Sequence, residues 1–322
     1  MSRALVTAIG SFSSDIVIKK LKNNGFYVVG LNVNPKEWIA ESLMVDSFYQ
    51  APYVTNHTEY DEFIKRICLE ERITHVIPLT DTELDDLNCI RDWFDSMGIL
   101  LCVTSEKSIS IARNKLETYK FGKLYPDIVN IIPTYSYDEI KKKKCEELIP
   151  VIAKPINGRS SQGITKFYST NLLKEFLSKE KSDYIFQPII EGDIITVDTI
   201  RNLNGFTYAV ARKELLRTLN GAGTSVYVFH DDALEETCRF LADKLEVLGC
   251  VNFEFIQDEH GKYWLIECNP RFSGGVEFTA IAAYDIVANH FRVFDGQELD
   301  KPKSWRNQYI ARKFEEYVTK IE

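Results

Sequence analysis

Short apolar β-runs alternate with helical patterns over the first 105 residues, and no other feature of this chain narrows its fold as much. The runs are RALVTAI (3–9), YVVGLNV (27–33), THVIPL (74–79) and ILLCVT (99–104), separated by helical stripes over 15–24, 58–71 and 82–97. Such alternation predicts a parallel sheet with crossover helices. A helix capped by an early serine is expected over 105–125, and the run KKKK at 141–144 is read as the solvated face of a polar helix. After Pro150 the pattern changes. VIAKP, DYIFQPII, DIITVDTI and FTYAVAR are β-runs separated by turns. A helix over 231–248 then precedes the strands CVNFEF and YWLIEC, and a last helix covers 277–293. This second half reads as α+β with antiparallel sheet.

At 322 residues the chain holds two units or one elaborated unit, on a prior of about 150 residues per domain. Its formal charge of −8 argues against duplex nucleic acid and anionic membrane surfaces as main partners. The start MSRALVTAIGSF lacks a signal-peptide pattern, and no apolar run is long enough to span a bilayer. Seven cysteines without CxxC spacing fit reduced, mostly buried thiols of a cytoplasmic protein.

Three places carry chemistry. The turn TAIGSFSSD has one glycine and is not a dinucleotide fingerprint, so a dehydrogenase is excluded. The loop PLTDTEL puts Asp81 and Glu83 just beyond a strand's C-terminal end, where open α/β sheets bind ligands and where helices also take their caps. In IAKPINGRSSQGI, Lys154 leads into a loop whose small residues let backbone N–H groups approach phosphate oxygens. The strongest constellation is VNFEF followed by WLIECNPRFSGG. Alternation puts Glu267 and Asn269 on one face, and a hairpin would bring Glu254 opposite Glu267. Paired carboxylates repel unless a cation lies between them, and hard oxygen donors suit Mg²⁺ shared with substrate phosphates. Arg271 follows in a loop, where it could stabilise phosphoryl charge.

Taken together, IECNPRFSGG, the upstream VNFEF and the earlier AKPINGRSSQGI resemble the ATP-grasp superfamily, in its carbamoyl-phosphate-synthase-large-subunit-like branch of carboxylate–amine ligases. The resemblance covers nearly the whole chain. It implies a Rossmann-like parallel α/β domain over 1–105 and a two-subdomain ATP-grasp fold with antiparallel sheets. Subdomain A, with a glycine-rich lid, would cover 106–183, and subdomain B, with the metal site and C-terminal tail, 184–322. It implies ATP and Mg²⁺ as cofactors. Lys115 and Lys154 would hold phosphates, and Ser160, Ser161, Gln162 and Gly163 would form the closing loop. Gln187, Pro188, Ile189 and Ile190 would form the adenine strand, with backbone groups offered at Ile189. Glu254, Glu267 and Asn269 would be metal ligands, and Arg271 with Lys154 catalytic. Arg212 resembles the basic residue near the phosphates or acyl group, with Lys213 and Arg217 as its neighbours. Asp198 would either face the substrate or cap a turn.

Two departures stand out. Ile194 occupies the position where the family often has a ribose-binding acid, which shifts that contact to Asp193 or Glu191, and Glu254 stands where many relatives have Gln. The implied activity is amide or peptide-like bond formation between a small carboxylate and an amine, through an acyl phosphate. Alternatives are a carbamoyl-phosphate-synthase-like subunit acting on bicarbonate or carbamate, which would need a partner chain, and a non-catalytic ATP-binding regulatory protein. Homodimers are common in such ligases.

Overall fold

The computed structural model describes residues 2–158, 162–179, 182–219 and 221–321. Its first sheet is built from β1 (Arg3–Val6), β2 (Tyr27–Asn32), β3 (Ser47–Gln50), β4 (His75–Ile77) and β5 (Leu100–Leu101). All neighbours are parallel, in the order β3-β2-β1-β4-β5. The helices between them are α1 (Ser14–Asn23), α2 (His57–Glu70), α3 (Asp81–Cys89) and α4 (Arg91–Ser96). Strand order reverses at β1, so the β1 and β4 C-terminal ends form the switch point where such sheets bind ligands. β3, too short and half-exposed to show in the sequence pattern, adds an edge.

The expected helix over 105–125 is two helices, α5 (Glu106–Ala112) and α6 (Lys115–Gly122). Ser105 caps the first by accepting from the Ser108 N–H. Asn114 caps the second, its side chain accepting from the Leu116 and Glu117 N–H groups at 3.0 and 3.1 Å. An asparagine that satisfies the next turn's orphan donors ends one helix and begins another. The break places Lys115 at the first position of α6. Strand β6 (Asn130–Ile131) follows.

A small antiparallel sheet, ordered β7-β10-β8-β9, comprises β7 (Tyr135–Ser136), β8 (Val151–Pro155), β9 (Thr165–Phe167) and β10 (Tyr184–Pro188). Its helices are α7 (Tyr137–Lys141) and α8 (Thr170–Leu177). Helix α7 ends at Lys141, so the lysine run lies almost wholly beyond it. A large sheet is formed by β11 (Asp193–Arg201), β12 (Thr207–Arg217), β13 (Gly223–Phe229), β14 (Gly249–Gln257), β15 (Tyr263–Asn269) and β16 (Gln308–Ala311), with β6 at one edge. Residues 106–183 thus contribute to two sheets, because β6 pairs with β15. The remaining helices are α9 (Asp232–Lys244), α10 (Val276–Ala282) and α11 (Ile286–Phe294). Asp285 caps α11 by accepting from the Ala288 N–H, which splits the last expected helix.

The two faces of the large sheet explain its sequence. Ile195, Val197, Ala211, Phe253, Phe255 and Leu265 are buried with Leu234, Cys238 and Leu241 of α9. On the other face, Ile200, Val210, Val226 and Cys250 pack with α11 and with Val6, Val17 and Ile77 of the parallel domain. The rest of that face carries Thr196, Arg212, Glu254 and Glu267, and it is left open. Among the described residues no helix is long and apolar enough to cross a membrane.

His290 on α11 joins the two larger units. Its Nδ1 accepts from the Cys250 N–H at 2.9 Å, and its Nε2 lies 3.2 Å from the Cys102 carbonyl, to which it donates. Accepting at Nδ1 requires the neutral ring, and burial pulls its pKa from 6.5 down to about 4. The unfolded chain therefore binds one more proton between pH 6.5 and 4. Stability from this group is intact above 6.5 and is lost as pH falls through 4, by about 3 kcal/mol in full. His290→Gln is expected to be less stable than wild type at pH 7, with the gap closing toward pH 4.5. Urea denaturation across that range checks this, and a pH-independent gap contradicts it.

Candidate active site

The open face floors a cavity of about 870 Å³, walled by all three sheets. The parallel domain contributes Ser11–Ser13 from the loop after β1 and Leu79–Thr82 from the loop after β4. The small sheet contributes Ile152, Lys154 and the chain from Gln187 to Gly192.

On the floor, β14 and β15 pair Glu254 with Glu267 and Asn252 with Asn269, the predicted register. Asn269 donates to Asn252 Oδ1 at 3.1 Å, and Asn252 donates to the Arg271 carbonyl at 2.9 Å. This fixes the amide and the start of the arginine loop together. Burial and the neighbouring Glu267 push Glu254 up to about 7. Burial also raises Glu267, but Lys115 and Lys154 outweigh it and hold Glu267 below its ordinary value. Lys115 Nζ lies 3.3 Å from Glu267 Oε2 and donates to the Gly158 carbonyl at 2.8 Å. Lys154 projects from β8 and is 9% exposed, and burial lowers its pKa. Arg217 approaches Glu254 at 3.6 Å. Among the described residues no three His, Cys, Asp or Glu side chains cluster as a ready-made metal site. The oxygen donors here are two carboxylates and one amide, hard ligands that fit a divalent cation sharing its coordination with phosphate oxygens.

Arg271 is held from the parallel domain, its Nη2 donating to Asp81 Oδ2 at 2.7 Å. Burial opposes the charge, but Asp81 more than offsets it and keeps the guanidinium above its ordinary pKa. Arg113 lies 3.4 Å from the other Asp81 oxygen and grips Asp85 at 2.8 Å. Asp81 lines the cavity as a support for Arg271. Asp81→Asn is expected to lower kcat about tenfold while leaving the KM for ATP within about threefold, because positioning is lost and nucleotide contacts are not. Steady-state kinetics check the split, and equal losses in both would point to a general collapse of the site.

Other expected residues fall differently. Glu83 is turned into the parallel domain, where it accepts from Thr7 at 2.9 Å, Thr80 at 2.5 Å and Tyr60 at 3.3 Å. It braces the β1 and β4 ends, outside the cavity. Asp198 is fully buried, bonded to Arg212 and to Thr279 at 2.6 Å, so it supports Arg212 from outside the cavity lining. Asp193 pairs with Lys213 outside the cavity, whereas Glu191 lines it. Pro188, Ile189 and Ile190 line it too, with the Ile189 N–H donating to the Pro150 carbonyl at 3.3 Å. That amide is already engaged. Gln187 donates to Thr134 at 2.8 Å. Gln162 lines the cavity, and Gly163 takes φ +72° behind it. Ser160 and Ser161 lie outside the described residues. Sequence reasoning missed Thr196, Glu214, Asn252 and Ser273. Strand parity could have found the first three, since each lies two residues from a residue singled out on the same face.

Two family models match the chain. Residues 6–102 match one described as "PylC-like, N-terminal domain", and residues 180–317 match "ATP-grasp in the biosynthetic pathway with Ter operon". No curated protein matches. Among solved structures, a biotin carboxylase from Campylobacter jejuni, solved as a β,γ-ATP complex, superposes with a TM-score of 0.81 at 16% identity. The match covers 95% of this chain and 74% of that one. The biotin carboxylase domain of Hydrogenobacter thermophilus 2-oxoglutarate carboxylase, solved with MgADP, ADP and bicarbonate, gives 0.79 at 20% identity, covering 95% and 73%. N5-carboxyaminoimidazole synthetase from Staphylococcus aureus gives 0.72 at 15%, covering 93% and 78%. The two partial family matches and the fold shared with these enzymes give the chain an ATP-grasp fold behind a PylC-like N-terminal domain, with the lysine, carboxylate and arginine cleft set in it.

Proposed function

We propose that the protein is an ADP-forming ATP-grasp ligase that joins a small carboxylate to an amine through an acyl phosphate. The observation that carries this is the arrangement of Glu254, Glu267 and Asn269 on one sheet face, with Lys115 and Lys154 opposite, in a cavity reached by the parallel domain's switch point. Glu254, Glu267 and Asn269 would hold Mg²⁺, which when bound offsets the charge on phosphate oxygens. Lys115 and Lys154 bind those oxygens, and Arg271, steadied by Asp81, faces the transferring phosphoryl group. Gln187–Ile190 take the adenine side and Glu191 the ribose. The loop through Gln162 and Gly163 covers the phosphates and excludes water, which would hydrolyse the intermediate.

The substrate carboxylate attacks the γ-phosphorus in line and ADP leaves. The amine then attacks the acyl carbon and phosphate leaves. In this reading the chain divides into units over 1–105, 106–183 and 184–322. It is cytoplasmic, consistent with seven free cysteines, of which six are buried. A homodimer is the expected assembly. A second reading takes bicarbonate as the acid, by analogy with the carboxylase domain solved with bicarbonate.

Release of ADP and phosphate from Mg·ATP, screened against pooled amino acids, small carboxylates and bicarbonate, tests both. Turnover that needs one acid–amine pair and yields a condensed product supports the ligase. Turnover with bicarbonate alone supports the second reading, and nucleotide binding with no turnover in any pool counts against both.

A further inference from the structure

Beside the phosphate end of the cavity, a buried charge group does not balance. Arg212, 1% exposed, is set between Asp198, which it meets through Nη1, and Glu214, whose Oε1 accepts from its Nε at 3.0 Å. Its Nη2 donates to Ser273 at 2.8 Å. One guanidinium thus faces two carboxylates. Glu214 Oε1 also accepts from Thr196 at 3.0 Å, but Oε2 has no hydrogen-bond partner, although the Glu214 side chain is 3% exposed. Leaving a buried carboxylate oxygen unpaired is costly, and the cost falls when a cation arrives.

The oxygen is buried, but it lies at the wall of the cavity. Glu214 lines the cavity with Ser273, Gly274, Gly275 and Gly223. A Cβ at Gly223 would sit 1.9 Å from Glu214 Oε2, and one at Gly275 would sit 2.9 Å from Arg212 Nε. Glycines on both sides therefore leave beside the charge group the room that a side chain at either position would take. Of the further cations nearby, Arg217 is engaged with Glu254 and with the Gly221 carbonyl, and Arg312 with Glu277 and the Gly274 carbonyl. Glu214 and Glu254 stand on strands separated only by β11, two strand spacings or about 10 Å apart.

We propose that Glu214 is the subsite for a protonated nitrogen, and that the acid substrate is accordingly an amino acid whose ammonium pairs with Glu214 Oε2. This rests on the ligase reading for the carboxylate that is activated on the same face. The ammonium supplies the missing donor and brings the buried group to two positive and two negative charges. It also gives the site a means of rejecting simple carboxylates, which leave Oε2 unpaired.

Isothermal titration with individual L-amino acids, D-alanine and their amine-free counterparts, with and without Mg·ADP, tests the assignment. Wild type is expected to bind at least one amino acid and not the matching amine-free acid. Glu214→Gln and Gly223→Ala are expected to weaken that binding at least about tenfold while binding Mg·ADP like wild type. Amino-acid binding unchanged in Glu214→Gln overturns the proposal. So does a wild type that binds Mg·ADP and no ammonium compound. Failure to bind Mg·ADP would instead count against the nucleotide reading, and the amino-acid titrations would still decide the role of Glu214.

Discussion

Glu267→Gln is expected to reduce substrate-dependent ATP turnover by at least about a thousandfold. The substitution keeps the shape of the side chain and removes the charge that three neighbours depend on. Lys115 and Lys154 both hold Glu267 below its ordinary pKa, and Lys115 approaches it at 3.3 Å. Glu254 faces it across the hairpin, and burial and then the Glu267 charge raise its pKa to about 7. An amide at 267 leaves two lysines without their common anion and leaves Glu254 easier to ionise, so the hairpin itself should persist. Circular dichroism and thermal unfolding are expected to match wild type while ADP release is lost. Retained turnover would remove the metal assignment from this face of the sheet.

The hairpin was legible because its signals are local. Alternation around Glu267 sets which of its neighbours share its face, but the register carried from the turn would set Glu254 against Ile266; a bulge between Phe255 and Glu254 shifts the pairing to Glu267. The parallel sheet was legible for the same reason everywhere but at β3, since its other strands and helices announce themselves within a dozen residues. Long-range partnership was not. Glu83 and Asp81 sit two residues apart at the start of α3, yet Glu83 turns inward to Thr7 and Tyr60 while Asp81 reaches across to Arg271. Nothing in PLTDTEL distinguishes them, because the deciding partners lie far away in sequence. Asp198 shows the same limit: its strand position places it on the functional face, but Thr279 of α10 covers it. The helix breaks at Asn114 and Asp285 were readable in principle, as each is a capping residue inside an apolar pattern. Glu214 needed both strand parity and the structure, since what marks it is a missing partner.

Lys154→Met should separate stability from activity more clearly than any other substitution in the cleft. The side chain is 9% exposed on β8, and burial already disfavours its charge. On that strand Ala153 points the other way, into the small sheet's own core with Val151, Phe167 and Phe186. The core therefore does not depend on the ammonium. Methionine has similar length and no charge to desolvate, so the variant is expected to unfold about 1 kcal/mol later than wild type. Its kcat/KM for ATP is expected to fall about a hundredfold, because the charge it lacks is one that would bind phosphate oxygens. Thermal unfolding without nucleotide and kinetics with Mg·ATP read the two effects independently. A variant that loses stability and activity together would mean that Lys154 pairs with Glu267 as a structural ion pair. Gain of stability with loss of turnover means that the fold carries a buried charge for the reaction alone, the trade-off expected where binding chemistry is set into a packed sheet.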